Sequence, residues 1–155
     1  MEDSVRKADV ADADVLGRLL YDFNTEFETP TPTATEIAER FRRVLTGPQL
    51  VAFLSEDANG GATGFALLSL RPTPYFDGPL VQLDELYVRP ELRDRGIGTT
   101  LLEAVVAFAR SQGSQEIHIG VDEVDTDTRR FYERHGFVNI EPGQDYRMLM
   151  YLREL

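Results

Sequence analysis

Residues 83–98 join a predicted strand to a predicted helix through a short loop that contains three arginines and two glycines. The first N–H groups of a helix have no partner inside it, and the positive end of the helix dipole lies beside them. Glycine at two of these positions lets a bound group approach the backbone closely. The segment therefore predicts an anion site, with phosphate as its natural ligand. The N–H groups concerned are those near Arg95, Gly96, Ile97 and Gly98.

The composition favours one globular domain. A chain of 155 residues is long enough to bury roughly 70% of its unfolded surface, so residues 1–155 are predicted to form a single domain. The sequence has no cysteine, which removes disulfides, thiolate metal ligands and a cysteine nucleophile. It shows no signal-peptide core and no run of about 18 apolar residues, so we expect a cytoplasmic protein.

The charge pattern favours small ligands over nucleic acid. A formal net charge of −11 disfavours a nucleic-acid partner, because phosphate backbones need a clustered basic surface. It favours cationic small molecules, although many acidic surfaces serve only solubility. Residues 87–98 differ from the rest, since they carry three arginines and two carboxylates. A locally basic segment in an acidic protein suggests an anionic cofactor beside a second ligand of different charge.

Changes in hydrophobic periodicity divide the chain into helices and strands. Apolar residues at three- and four-residue spacing predict an amphipathic helix from about Asp12 to Phe27. Thr33 and Glu36 form a capping-box pattern that starts a second helix, and Asp57 to Gly61 is a turn that predicts a hairpin. Further helices are expected at 97–110 and 126–134, and strands at 5–7, 50–54, 64–70, 80–88, 116–121, 137–138 and 148–152. The fold class is therefore α/β (α+β), with about six or seven strands and helices between them.

Two motifs taken together resemble the GNAT superfamily of N-acetyltransferases. The run Arg-Asp-Arg-Gly-Ile-Gly at 93–98 is similar to the family's Arg/Gln-x-x-Gly-x-Gly/Ala loop, which binds the pyrophosphate of acyl-CoA. The run Phe-Tyr-Glu-Arg-His-Gly-Phe at 131–137 looks like the family's second signature, about 35 residues further on. The strict match covers roughly residues 83–138. The resemblance implies a mixed, mostly antiparallel sheet that is splayed open at the coenzyme and flanked by about four helices.

The resemblance implies acetyl-CoA as cosubstrate, without a metal, and places its site at the strand end and the following loop. The backbone N–H of Val88 should hold the thioester carbonyl or the pantetheine arm. Relatives have Asn and Ala seven and four residues before the motif tyrosine, where this chain has Asp125 and Thr128. Asp125 can still cap the helix. The implied coenzyme residues are Leu86, Tyr87, Val88, Arg93, Asp94, Arg95, Gly96, Ile97, Gly98, Thr99, Asp125 and Thr128.

Acetylation of an amine needs a base, because an amine with a pKa near 10.4 is only about one part in 2,500 neutral at pH 7. Asp84 and Glu85 lie on the strand that runs beside the thioester in the family. Strict alternation would send them to opposite faces, so only one could face the acceptor. We favour Glu85 as general base, acting through a water, because it would share a face with Leu83 and Tyr87. Asp84 is the second choice, and both could be solvated acids without a catalytic role.

By resemblance, Tyr132 occupies the position of the tyrosine that protonates the leaving CoA thiolate. A phenol with a pKa near 10 suits a thiolate whose conjugate acid has a pKa near 8.5. The alternative is a ring that only packs on the core.

Other patterns are weaker. Two glycines in mid-chain after a hairpin do not fit a dinucleotide-binding fold, and the sequence has no Gly-Lys-Ser/Thr for a P-loop. His118 and His135 lack metal-ligand spacing. The acids of the first helix could hold a second cation or form a solvated face; they are Asp22, Glu26 and Glu28.

The sequence therefore predicts an N-acetyltransferase that acts on a primary amine of a small cationic molecule by direct attack in a ternary complex. Polyamines, aminoglycoside-like compounds and amino-acid derivatives all fit, and protein amines stay open as acceptors. The alternative from another class is a catalytically silent acyl-CoA-binding module. An edge strand at 148–152 is compatible with a homodimer.

Overall fold

The computed structural model describes residues 3–155, which form two compact units. The first unit extends to His118, and the second runs from Ile119 to Leu155. That residues 1–155 act as one domain stays a prediction.

Five strands form one sheet in the order β1-β2-β3-β4-β5. The first four pair antiparallel, each with its neighbour in sequence. The predicted hairpin joins β2 to β3, and its turn is held by Asp57, whose Oδ1 accepts from the N–H groups of Asn59 and Gly61 at 2.9 Å each. The strands are β1 (Ser4–Lys7), β2 (Leu50–Glu56), β3 (Ala62–Arg71), β4 (Leu80–Val88) and β5 (Ile117–Ile119).

Residues 3–155 contain four α-helices, as predicted. They are α1 (Ala13–Glu26), α2 (Ala34–Val44), α3 (Ile97–Ser111) and α4 (Thr126–Arg134), with short 3₁₀ turns at Val10–Asp12 and Pro90–Leu92. The predicted capping box starts α2: the Glu36 N–H donates to Thr33 Oγ1 at 3.2 Å, and the Thr33 N–H donates to Glu36 Oε2 at 2.9 Å. Satisfying two N–H groups in this way fixes the helix start.

The sheet is covered on both faces. On one face α1 and α2 bury Leu16, Leu19 and Phe41 against strand residues that include Phe65 and Tyr87. Residues that alternate with Phe65 point to the other face, where α3 packs; a Cβ at Gly64 would lie 3.3 Å from Leu101 Cδ1. Each fully buried Leu or Phe contributes about 1.5–3 kcal/mol, so the two layers fix where the ends of β4 and α3 lie.

The prediction of six or seven strands is wrong for residues 3–155, which contain five. The segments 137–138 and 148–152 have strand-like sequences but form no strand. A strand needs a neighbour for its N–H and C=O groups, and one backbone hydrogen bond joins these parts of the chain, from Met148 N–H to Asn139 O at 2.7 Å. Within the described residues, the edge strand that was compatible with a homodimer is therefore missing. No helix among residues 3–155 has the length and apolar content needed to cross a membrane.

Candidate active site

A β-bulge in β4 sets the positions of the two candidate bases. Leu67 of β3 pairs with Glu85, while the next residue, Leu68, pairs with Leu83. Asp84 is therefore an extra residue on β4 without an opposite partner, which defines a bulge. Strict alternation along β4 ends at this point.

Because of the bulge, the expectation that Asp84 and Glu85 point to opposite faces of the sheet is wrong. Paired residues on neighbouring strands point to the same face, so Glu85 shares the α1–α2 face with Leu67 and Tyr87. Leu83 pairs with Leu68 and lies on the α3 face instead.

Asp84 is placed by its neighbour on β3. The Asp84 carboxyl is hydrogen-bonded to the Ser69 side chain. Ser69 follows Leu68 along β3, so Ser69 lies on the α1–α2 face. Both carboxylates therefore lie on one face, contrary to the expectation from alternation.

Burial raises the pKa of both carboxyl groups. Burial, and then the adjacent charge of Asp84, raises the pKa of Glu85 to about 7. Burial also raises the pKa of Asp84, and the hydrogen bond from Ser69 opposes that rise. A carboxylate with a pKa near neutrality is well matched to accept a proton at pH 7. The pair therefore has the electrostatics of a general base and its charged neighbour.

The turn into α3 has the geometry of an anion site. Gly96 is the N-cap of α3 in a left-handed conformation, with φ of 85°, and it has no side chain to cap the helix. Asp94 is also left-handed, with φ of 63°, which is uncommon for a residue with a side chain. A Cβ built on Gly96 would meet no atom within 4 Å, so the space above the helix start is open. A diphosphate fits this arrangement, because the helix start offers N–H groups and a positive dipole end.

Two arginines of this loop are held by α1. Arg93 forms a two-pronged ion pair with Glu26, with Nη1–Oε2 and Nη2–Oε1 distances of 2.7 Å. Arg89 Nη1 lies 3.5 Å from Asp22 Oδ2. Two of the three acids considered for a second cation, Asp22 and Glu26, thus meet cations of their own chain. The two acids are four residues apart in the sequence, at 22 and 26, and so are the two arginines, at 89 and 93. This matching spacing was the sequence signal for the two ion pairs, and the sequence-based expectations did not include it.

In the second unit, α4 carries the second motif. Asp125 caps the helix, as predicted, by accepting from the Thr128 N–H at 3.3 Å. Tyr132 is buried, and its ring contacts those of Phe131 and Phe137 at centroid distances of 5.2 and 5.5 Å. The Phe137 N–H donates to Tyr132 O at 3.1 Å. The roles of Tyr132, Asp125 and Thr128 stay predictions.

The two histidines have local partners. His118 Nε2 lies 3.1 Å from Glu116 Oε2, and His135 Nδ1 donates to Phe131 O at 2.7 Å. Among residues 3–155, no three His, Asp or Glu side chains are grouped as a metal site would need.

Comparison with known proteins identifies the family. Residues 16–137 match the model of the Acetyltransferase (GNAT) family. The aminoglycoside N(6')-acetyltransferase type 1 of Stenotrophomonas maltophilia is 30% identical over 121 residues, which cover 76% of this chain and 78% of that protein. The chain belongs to the GNAT family and is an acetyl-CoA-dependent N-acetyltransferase.

Solved structures agree with this assignment. The crystal structure of a candidate acetyltransferase from Arthrobacter sp. FB24 is 45% identical, with a TM-score of 0.91, and the match covers 100% of this chain and 97% of that one. The structure of AAC(6')-Iy in complex with the bisubstrate analogue CoA-S-monomethyl-acetylneamine has a TM-score of 0.78 at 20% identity, with full coverage of both chains. At that identity the likeness concerns the fold.

Proposed function

We propose that this protein acetylates a primary amine of a small cationic molecule by direct attack of the amine on acetyl-CoA in a ternary complex. The observation that carries the proposal is the pair of carboxylates that the β4 bulge presents on one face, in the strand that leads into the turn at the start of α3. Acetyl-CoA supplies the acetyl group as a thioester. Relatives named as aminoglycoside acetyltransferases make polycationic amino sugars the first acceptors to test.

Glu85 is the proposed general base. Its raised pKa lets it take a proton from the ammonium form of the acceptor, directly or through a water, near neutral pH. Asp84 is the second choice, since the bulge places it on the same face. Whichever carboxylate acts, the other adds negative charge that attracts a cationic amine.

The proposed coenzyme site runs from the end of β4 to the start of α3. The main chain of Leu86, Tyr87 and Val88 is assigned to the pantetheine arm, and the turn from Asp94 to Thr99 to the diphosphate. Arg95 is exposed and makes no ion pair within the described residues. It is therefore the arginine of this loop that is available to a phosphate.

Tyr132 is proposed to donate a proton to the CoA thiolate as it leaves. Tyr132→Phe keeps the ring but removes the hydroxyl, so we expect kcat to fall by at least about 100-fold, the scale of one acid-base group, while the Kd for acetyl-CoA changes little. Steady-state kinetics and calorimetry on the same variant measure both quantities. An unchanged kcat would remove this hydroxyl from the mechanism.

The function is tested by CoA calorimetry followed by thiol release on a panel of amines. We expect CoA to bind, and at least one polyamine, aminoglycoside or amino-acid amide to be turned over. CoA binding without turnover of any small or protein amine would favour the silent module. Turnover only on protein N-termini or lysines would replace the small acceptor.

Two matched glycine variants locate the coenzyme. Gly96 and Gly60 both have positive φ, 85° and 79°, and a Cβ at either meets nothing within 4 Å. Alanine at either position therefore costs about the same backbone strain, roughly 1 kcal/mol, but Gly60 lies in the β2–β3 turn. We expect Gly96→Ala to weaken CoA binding and Gly60→Ala to leave it unchanged. Equal effects of the two variants on CoA binding would mean that the diphosphate does not bind at the start of α3.

A further inference from the structure

We propose that Glu26 is a positioning residue for the coenzyme turn: it holds Arg93, and Arg93 holds the chain entering the turn, so that Arg93 acts as a clasp and not as a phosphate ligand. This inference rests on the proposed coenzyme site. It assigns a role in coenzyme binding to a residue at the end of α1, remote in sequence from the loop motif.

The contacts of Arg93 leave its guanidinium already engaged. Both terminal nitrogens donate to the Glu26 carboxylate at 2.7 Å, and Nε donates to the Val88 carbonyl at 2.9 Å. The group also lies 5.6 Å from the centre of the Tyr87 ring. A phosphate would have to compete with a two-pronged carboxylate, which is among the strongest partners that an arginine finds in a protein.

These contacts converge where the backbone is under strain. The residue after Arg93 is Asp94, whose left-handed conformation costs about 1 kcal/mol relative to an ordinary one. Such a conformation persists when the surrounding structure fixes it. Arg93 ties the start of the turn to the end of β4 through Val88 and to α1 through Glu26. The clasp therefore supports the shape in which the Asp94–Gly98 amides meet a diphosphate.

The packing of α1 makes Glu26 a firm support. Phe23, one turn before Glu26, stacks on the Tyr87 ring at 5.0 Å with an interplanar angle of 20°. The same helix face carries Asp22, which lies 3.5 Å from Arg89, and Arg89 Nε donates to Ala62 O at 2.8 Å. The longer Asp22–Arg89 contact contributes less than the Glu26–Arg93 pair. One helix face thus holds both arginines that flank the 3₁₀ turn.

The test compares two carboxylates of α1 that form arginine pairs of similar length. Glu26→Gln keeps the shape but removes the charge from the clasp. Asp14→Asn does the same to the Asp14–Arg42 pair, which is 2.6 Å long and joins α1 to α2 away from the loop. By calorimetry on the full chain, we expect Glu26→Gln to weaken CoA binding about tenfold, the effect of losing one charged hydrogen-bonded pair. Asp14→Asn should leave the Kd within twofold.

Pantetheine separates this role from general destabilisation. It lacks the diphosphate, so its Kd should be the same in wild type and Glu26→Gln if the clasp acts on the turn. In kinetics with acetyl-CoA, Glu26→Gln should raise KM while kcat stays within about twofold. Arg93→Lys keeps the positive charge but loses the two-pronged contact, so it should weaken CoA binding as much as Glu26→Gln, and the double variant should be no weaker than either single one.

The outcomes distinguish this inference from the proposed function. Wild-type protein that does not bind CoA overturns the proposed function and the clasp with it. CoA binding that is unchanged in Glu26→Gln overturns the clasp alone. Tighter binding overturns it too, because freeing Arg93 would then have released a phosphate ligand. Equal losses for CoA and pantetheine, or normal CoA binding by Arg93→Lys, also contradict it.

Discussion

At the scale of single residues, Glu85 should control the pH dependence of the reaction. A general base must be ionised to act, and burial raises the pKa of Glu85 to about 7. We therefore expect kcat/KM to fall as the pH decreases through 7. Glu85→Gln should lack this inflection and lower the rate by about 100-fold or more. The part of the pH–rate profile that reflects ionisation of the substrate amine, with a pKa near 10.4, should be unchanged in the variant. The pH–rate profile of both proteins checks this.

Asp84→Asn identifies which carboxylate is the base. The charge of Asp84 contributes to the raised pKa of Glu85, so removing it should move the inflection to lower pH if Glu85 acts. If Asp84 acts, the same variant should lose the inflection altogether, and Glu85 would be reduced to a neighbouring charge.

Glu85 should also make the stability of the protein depend on pH. Because folding raises the pKa of Glu85, the folded state favours the protonated carboxyl, and the free energy of unfolding decreases as the pH rises from the unfolded pKa through about 7. Glutamine resembles the neutral acid. We expect Glu85→Gln to stabilise the protein at pH 8 by about 1–2 kcal/mol, below the full value of the shift because the side chain stays partly in contact with solvent.

Urea unfolding at two pH values measures this effect. At pH 5 the gain should be several-fold smaller than at pH 8, since Glu85 is then protonated in the folded protein and its carboxyl is only partly ionised in the unfolded chain. A gain of equal size at pH 5 and pH 8 would mean that the carboxyl is not titrating in this range. Loss of stability at pH 8 would show that the ionised form is favoured by folding.

At the scale of elements, the closeness of β3 and β4 near the site depends on Gly64. A Cβ at this position would lie 2.5 Å from Tyr87 O and 3.2 Å from Val88 Cα, which no side chain can do without moving one strand. We expect Gly64→Ala to lower stability by about 1–3 kcal/mol and to weaken CoA binding, because it displaces the end of β4. Gly47→Ala is the control, since its Cβ would approach Val44 O only to 3.9 Å.

Thermal unfolding and CoA calorimetry on both variants check this prediction. Gly47→Ala should change neither quantity by much. Gly64→Ala with wild-type stability would mean that the strands separate at no cost, and the close approach would then have no structural role.

The elements that the sequence predicted correctly are those fixed by local chemistry. The capping box at Thr33 and the Asp57 turn follow from side chains that bond to backbone within a few residues. The bulge at Asp84 was not predicted, because it is a property of how β4 pairs with β3. Glu26 was missed as a partner of Arg93 for a similar reason, since the two are 67 positions apart.

At the scale of the whole molecule, the strands predicted at 137–138 and 148–152 show the limit of pattern alone. Apolar and β-branched residues favour a strand, but a strand forms only where a neighbour can pair with it. In residues 3–155 these segments stay irregular, and their large apolar side chains are exposed, among them Leu149, Tyr151 and Leu152. The motif at 93–98, by contrast, lies in a single local segment, so its turn and the start of α3 were predictable, and its role in coenzyme binding stays a prediction.

The net charge of −11 should act on the acceptor at long range. An acidic protein attracts cations by a field that salt screens, with a Debye length of about 8 Å at 0.15 M ionic strength. Between 0.02 and 0.5 M NaCl we therefore expect the KM for a triamine to rise about three- to tenfold, and the KM for a monoamine of similar size to rise much less. Initial rates at saturating acetyl-CoA measure both. Equal salt dependence for the two amines would mean that local contacts, and not the field of the protein, bring the acceptor to the carboxylates of β4.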